Sequence, residues 1–297
     1  MTKFSIVVPA YNAQATLPET MDAILAQTFD DWECVVVDDG SNDSTLEIAQ
    51  AYSTSDPRVH VVSQRNQGTA GAYNTGVKAA GSGLIVMCSA DDLLLPEHLV
   101  EMAKAVDCGT ACDIWSSNGY FLGPDGSLRQ VYEPGAMGDP LTLIHVIRGC
   151  FFGVGAVYRR ETFDLVGGYR LGTYGEDYDF WLRAMARGAR HCYVPLPLAI
   201  HRLGAAQKSS DTEKVLRSDI AILRDLEGSG MLTRRECAAA HDSVCGRLAQ
   251  MARLDPRPAT RAVRVVATYL ARPASLLRAL MRRARRHVRI ERRTQER

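Results

Sequence analysis

Two aspartates side by side, Asp91 and Asp92, are the residues of this chain best suited to chemistry. Adjacent carboxylates repel one another unless a cation or hydrogen-bond donors offset their charge. Mg²⁺ or Mn²⁺ does so naturally, because hard cations take oxygen ligands and commonly share them with substrate phosphates. A second polar cluster runs Asp38-Asp39-Gly40-Ser41-Asn42-Asp43-Ser44, a third is Pro9-Ala10-Tyr11-Asn12, and a fourth pairs Glu176 with Asp177. Each has a humbler use as well: aspartates cap helices and fill turns, and an acidic first turn complements a helix dipole.

The elements around these clusters decide between the two uses. Phe4–Pro9 reads as a buried strand, and Thr16–Gln27 as a helix with Leu17, Met21, Ile24 and Leu25 on one face. Glu33–Asp38, Arg58–Ser63 and Leu84–Ser89 read as further strands, separated by helices over 44–51 and Ala70–Ala80. Asp43 or Ser44 caps the helix at 44, and Pro96 opens another that runs to Val106. Repeated strand–helix–strand units imply right-handed crossovers and a mainly parallel sheet flanked by helices. Ligands of such sheets bind at the carboxyl ends of the strands. Three of the four clusters fall there, and together they describe a site better than a set of unrelated caps.

The second half is less regular. Asp113–Phe121 and Leu128–Tyr132 flank the turn Gly123-Pro124-Asp125-Gly126 and read as a hairpin. A helix over Leu141–Ile147 and a strand over Ala156–Tyr158 follow. Glu176–Arg187 reads as an amphipathic helix burying Tyr178, Trp181, Leu182 and Met185. Pro195 and Pro197 punctuate two short strands, and beyond Ser210 the pattern is helical with a break at Gly228-Ser229-Gly230.

With 297 residues, 46% apolar and 23% charged, the chain has the composition of an ordinary globular protein and a length that fits one large domain or a domain with an extension. Its net charge of +1 hides an asymmetry, because the stretch from Arg257 onward is dense in arginine. There Val263, Val265, Leu270, Leu277 and Leu280 interleave with Arg264, Arg272, Arg278 and Arg282. Such a pattern suits a helix on an anionic membrane surface, and equally a helix packed on the body with a solvated basic face. It lacks the aromatic interleaving of a nucleic-acid binder. The opening residues lead straight into Ile6-Val7-Val8, too short a run for a signal core. The eight cysteines include no C-x-x-C pair, and Cys108 and Cys112 have no partners to complete a zinc site. The expected setting is reducing and cytoplasmic, with peripheral contact at the inner face of the cell membrane if the tail binds lipid.

Read in order, Ser5-Ile6-Val7-Val8-Pro9-Ala10-Tyr11-Asn12, Val36-Val37-Asp38-Asp39-Gly40-Ser41-x-Asp43-x-Thr45, Ala90-Asp91-Asp92-x-x-x-Pro96, Gly167-Gly168-Tyr169 and Glu176-Asp177-x-Asp179-x-Trp181-Leu182-Arg183 resemble a family 2 glycosyltransferase of the GT-A fold. The resemblance covers residues 4 to about 210. It implies a GT-A domain over 1–210, with a nucleotide-sugar-binding half at 1–112 and an acceptor-binding half at 113–210, followed by a helical, Arg-rich extension over 211–297.

That resemblance also implies roles. Pro9, Ala10, Tyr11 and Asn12 resemble the segment that meets the nucleotide base, and Asp39 the carboxylate that hydrogen-bonds it, which suits uracil or thymine. Asp91 and Asp92 stand at the family's metal-binding position, Asp92 as direct ligand to Mn²⁺ or Mg²⁺ and Asp91 reaching ribose or metal. Asp177 resembles the catalytic base, with Glu176 beside it, and Arg202 a donor contact. The implied reaction is inverting transfer of a sugar, from a UDP- or dTDP-linked donor to a glycan or lipid-linked acceptor, in surface polysaccharide or glycolipid synthesis. The other reading on the same fold is a nucleotide-binding or scaffold protein with impaired catalysis.

Three positions depart from the pattern. Ser89 stands where many members have a leading aspartate, Tyr73 where Ala-Arg-Asn is frequent, and Gly204 where a histidine often contacts metal or phosphate. His201 lies close to that last position, as a metal contact or as a hydrogen-bonded core residue. A dinucleotide-binding reading fails because no G-x-G-x-x-G follows the first strand.

Overall fold

The computed structural model describes residues 4–132, 141–149, 152–204 and 210–254. Two compact units divide the chain, Met1–Ser210 and Asp211–Arg297. The arginine-rich stretch from Arg257 lies outside the described residues.

In the first unit the chain runs β1 (Phe4–Ala10), α1 (Leu17–Leu25), β2 (Trp32–Asp38), α2 (Thr45–Ser55), β3 (Val59–Ser63), α3 (Gly68–Ala79) and β4 (Leu84–Met87). It continues with β5 (Leu93–Leu94), α4 (His98–Asp107), β6 (Ile114–Leu122), β7 (Leu128–Gln130) and α5 (Leu143–Arg148). β8 (Val157–Arg159), α6 (Arg160–Val166), α7 (Glu176–Ala186) and β9 (His191–Arg202) complete it. The strands form one sheet in the order β3-β2-β1-β4-β8-β6-β9-β5, with β7 alongside β6.

β1 is central, and Phe4, Ile6, Val7 and Val8 are all fully buried, as expected of a strand covered on both faces. α1 lays Leu17, Met21 and Ile24 on this core. α3 approaches β1 so closely at Gly76 that an added Cβ would stand 2.3 Å from Val7 Cγ1, and only glycine fits there.

The mainly parallel reading describes β1–β4, whose pairings β1–β2, β1–β4 and β2–β3 are all parallel. Beyond β4 the sheet is mixed: β8 runs antiparallel to both β4 and β6, and β5 antiparallel to β9, while β6 and β9 are parallel. The two short strands expected around Pro195 and Pro197 are one twelve-residue strand, β9. β6 steps from Ser117 to Asn118 while β9 steps from Val194 to Pro197, so a bulge takes up the proline that would otherwise interrupt the ladder. β4 ends at Met87 rather than Ser89. The helix after Pro96 starts at His98, because the His98 N–H closes a turn on the Leu95 carbonyl.

Cys112 and Cys192 form a disulfide with Cα atoms 6.0 Å apart, a pairing that the reading of the cysteines as scattered thiols does not anticipate. Cys108 remains free and exposed.

The second unit is described as far as Leu254 and holds α8 (Thr212–Gly228) and α9 (Arg234–Arg253). Asp211 caps α8, and Thr233 with Glu236 forms a capping box on α9. Arg247 pairs with Asp219 across the two helices at 2.7 Å. Among the described residues no helix is long and apolar enough to cross a membrane.

Candidate active site

Asp91 and Asp92 follow β4 in a turn closed by the Asp92 N–H on the Ser89 carbonyl, 3.1 Å. The chain then enters β5, a two-residue strand that the sequence reading missed. Leu93 pairs with Ile200 and Leu94 with Ala199. Antiparallel register carries that pairing one step further and sets Asp92 opposite His201. The His201 Nδ1 lies 2.9 Å from Asp92 Oδ1, and the Arg202 backbone N–H donates to the same oxygen at 3.2 Å. Thr20 Oγ1 on α1 holds the Asp92 carbonyl at 2.9 Å. Asp92 is 1% exposed, whereas Asp91 is half-buried. Arg202 itself reaches Glu19 in an ion pair.

Burial lifts the Asp92 carboxyl above its usual range, against the opposing pull of His201, and Asp91 adds to the rise. Burial works against a charged His201 too, but Asp92, Asp91 and Asp177 together raise the imidazole above its ordinary value. A buried carboxylate, a neighbouring one and an imidazole nitrogen are donors that suit Mg²⁺ or Mn²⁺. Among the described residues no group of three acidic, histidine or cysteine side chains is already converged as a metal site.

The Asp177 that His201 feels is in the first turn of α7, beside the buried Glu176. α7 is anchored by the Tyr178 hydroxyl on the Ile147 carbonyl, 2.9 Å, and by a buried clamp on Asp179. Arg183 bonds Asp179 at 2.7 Å and also donates to the Val166 and Gly168 carbonyls, while Arg170 lies 3.4 Å from the other Asp179 oxygen. Asp179 is thus committed to the scaffold, whereas Asp177 is half-buried and accepts the Tyr178 N–H on Oδ1 at 2.8 Å.

The Pro9–Asn12 and Asp38–Ser44 segments are laced together. Ser41 Oγ accepts the Asn12 N–H at 3.0 Å, and Asn12 Oδ1 accepts the Asn42 N–H at 2.9 Å. Asn12 takes a positive φ of 48°, a conformation asparagine tolerates better than most residues. Tyr11 stands 49% exposed at the tip. Ser44 stands at the N-cap of α2 without a side-chain bond of its own, and Asp43 Oδ1 accepts the Thr45 N–H at 3.0 Å. Asp39 is 2% exposed, with Oδ1 accepting from Gln64 Nε2 at 2.7 Å and the Gln67 N–H at 2.9 Å.

Two departures from the family pattern meet each other. The buried Tyr73 hydroxyl is hydrogen-bonded to Ser89, and its ring stacks on Tyr169 with centroids 5.1 Å apart. Burial pushes the Tyr73 phenol well up, and the charges of Glu176 and Asp177 add to the effect. Asn74 accepts the Tyr169 N–H at 2.8 Å and donates to its carbonyl at 2.8 Å, tying Ala72-Tyr73-Asn74 to Gly167-Gly168-Tyr169. The third departure resolves differently: Gly204 has no histidine, yet His201 already stands on Asp92.

Gln64 and Thr75 were not singled out by the sequence reading. Gln64 directly follows β3, the one parallel strand end that reading left out, so the signal was the same as for the other three.

Residues 5–169 match the family profile described as Glycosyl transferase family 2, and residues 135–294 one described as Glycosyl transferase family group 2. Among curated proteins, the "uncharacterized glycosyltransferase EpsJ" of Bacillus subtilis (strain 168) is 33% identical over 168 residues, 54% of this chain and 48% of that protein. The "putative teichuronic acid biosynthesis glycosyltransferase TuaG" of the same organism is 27% identical over 230 residues, 75% of this chain and 88% of that protein. The chain thus spans about half the length of EpsJ. Among solved structures, S. aureus TarS 1-349 in complex with UDP-GlcNAc superposes with a TM-score of 0.67 at 19% identity, covering 90% of this chain and 79% of that one. The mannosyltransferase PcManGT from Pyrobaculum calidifontis, in complex with GDP-Man and Mn²⁺, gives 0.62 at 19% identity, covering 91% and 81%. These likenesses show the expected GT-A fold.

Proposed function

This chain belongs to glycosyl transferase family 2, and from that premise we propose that it moves a sugar, with inversion, from a UDP- or dTDP-linked donor to a hydroxyl of a glycan or lipid-linked acceptor. The product belongs to a cell-surface polysaccharide or glycolipid. One observation carries the reading: the β5–β9 register sets Asp92 on His201, within electrostatic reach of Asp177.

In this reading residues 1–112 hold the donor and 113–210 the acceptor. The Pro9–Asn12 segment and Asp39 meet the base, with Tyr11 stacking on it. Asp92 and Asp91 would hold a divalent cation, and the remaining ligands would be diphosphate oxygens. When bound, the cation neutralises charge that gathers on the departing diphosphate. His201 fixes the Asp92 carboxylate for that task, and Arg202 contacts the donor. Asp177 takes the proton from the acceptor hydroxyl, since a sugar hydroxyl is a poor nucleophile at neutral pH. The acceptor oxygen bonds to the anomeric carbon from the face opposite the diphosphate. The carbon–oxygen bond to the diphosphate breaks, and its electron pair leaves with the nucleotide. Glu176 lies beside the base and accepts from the acceptor.

Asp92→Ala is expected to abolish Mn²⁺-dependent binding of UDP in calorimetry; unchanged affinity would overturn the reading. Binding by the wild type without turnover on any acceptor would favour a nucleotide-binding protein of the same fold. The stretch from Arg257 is assigned to an anionic membrane surface, bringing the body to a lipid-linked acceptor. Liposome co-sedimentation of the full chain should exceed that of a chain ending at Arg253, and equal sedimentation would remove this part.

A further inference from the structure

Asp39 is almost sealed within the protein, yet one of its two carboxylate oxygens does all the local hydrogen bonding. Oδ1 takes both Gln64 Nε2 and the Gln67 N–H. Among the described residues Oδ2 has no partner, and it is not one of the fully enclosed polar atoms. It is therefore open at the end of β2, beside Ala10, whose carbonyl takes the Asp39 N–H at 2.8 Å.

The asymmetry is fixed from behind. A carboxylate can only accept, so Gln64 must turn its amide nitrogen toward Asp39. Its carbonyl Oε1 then faces Thr75, whose hydroxyl donates to it at 2.5 Å. The Gln64 backbone N–H is held in turn by the Asp38 carbonyl at 3.0 Å. Thr75 stands on α3, Gln64 at the end of β3 and Asp39 at the end of β2, so three elements set the direction of one carboxylate.

Resting on the reading that Asp39 meets the nucleotide base, we propose that Gln64, locked by Thr75, is a positioning residue that restricts Asp39 to a single N–H and so selects uracil or thymine against guanine and cytosine. Uracil and thymine present N3–H between two carbonyl oxygens. One open carboxylate oxygen pairs with that donor, whereas a second would face a carbonyl and repel it. Guanine presents two adjacent donors, N1–H and the N2 amino group, which match a carboxylate with both oxygens free. With Oδ1 withdrawn, one guanine donor loses its partner and must be desolvated without return. Cytosine places a bare N3 acceptor where uracil has its N–H, so it repels the carboxylate there and keeps its one donor, the N4 amino group, to the side. A site built around a specific polar partner rejects a ligand that lacks it far more strongly than an apolar pocket could.

Calorimetry of the full chain with UDP, GDP and CDP in Mn²⁺ tests this. The wild type should bind UDP at least about tenfold more tightly than either other nucleotide, the scale of one charge-assisted hydrogen bond. Thr75→Val and Gln64→Leu should each narrow the UDP-to-GDP ratio by about fivefold or more, by weakening UDP and tightening GDP, and Thr75→Ser should restore it. A purely structural role would weaken UDP and GDP alike and leave the ratio unchanged. An unchanged ratio in both variants, or equal wild-type affinity for UDP and GDP, overturns this inference alone. Failure of the wild type to bind any of the three overturns the transferase reading with it.

Discussion

In the first half of the sheet, β1, β2 and β4 run parallel and each leads into a cluster of polar residues: Pro9–Asn12, Asp38–Ser44 and Ser89–Asp92. In the second half, β8, β6, β9 and β5 run in mixed directions, and the side chains that matter arrive by pairing between distant segments. His201 reaches Asp92 across 109 positions of sequence because Leu93 happens to pair with Ile200. The difference teaches where each half is vulnerable. The first half stands on turns that directly follow its strands and are laced to one another, whereas the second half depends on the register of a few strands and on one clamped helix.

The sharpest test of that division compares two aspartates on α7. Asp177→Asn should preserve the fold and UDP binding while lowering transfer by about 10²–10⁴-fold, read as kcat at saturating donor. Asp179→Ala should instead strip the partner from Arg183 and cost about 3–5 kcal/mol of stability, read as a lowered urea midpoint. If Asp179→Asn loses turnover with full stability while Asp177→Asn remains active, the roles of the two are exchanged.

Acid provides a second test. Burial holds His98 down at about 4 and His191 at about 3, both from an ordinary 6.5. The unfolded chain therefore binds protons that the folded one refuses, so stability is full above pH 6.5 and declines as pH falls toward 4. A loss of a few kcal/mol is expected on this scale. His98 bonds the Leu198 carbonyl of β9 at 3.2 Å and His191 bonds Ser116 of β6 at 2.8 Å, so the loss should fall on the second half. Hydrogen exchange at pH 4.5 should open β6 and β9 before β1 and β2; simultaneous opening would erase the distinction.

The smallest expected effect lies at the seam. Tyr73→Phe removes one neutral hydrogen bond to Ser89 and should cost about 1 kcal/mol, seen as a roughly fivefold loss in kcat/KM without a change in fold. An effect confined to melting temperature would make Tyr73 a packing residue only.

How much of this could be read from the residues follows the same division. The apolar runs of β1 and β2 and the polar clusters after them were legible because each signal is contiguous. β5 was not, although Leu93-Leu94-Leu95 is an apolar run, because a two-residue strand has no periodicity of its own. β9 looked like two strands since Pro195 and Pro197 are strong punctuation, and only the partner strand reveals the bulge that accommodates them. The Tyr73–Ser89 bond shows a further limit: both residues stood out singly as departures, but nothing in the sequence says that they touch. Gln64 opens the polar run Gln64-Arg65-Asn66-Gln67 at the end of β3, but its part shows only once Asp39 and Thr75 are known as its neighbours.

The β5–β9 ladder also bears on which mutations the chain can survive. Side chains alternate across a strand, so moving either partner by one residue turns the whole set to the opposite face. Insertion or deletion of a single codon between 93 and 95, or between 198 and 201, would bring Ile200 or Arg202 where His201 belongs and leave Asp92 without its imidazole. The turn at 123–126 sets only the register of the short β6–β7 hairpin. Length in this gene is therefore constrained most tightly at a ladder of two residues, where a frame-preserving indel should act as a null allele.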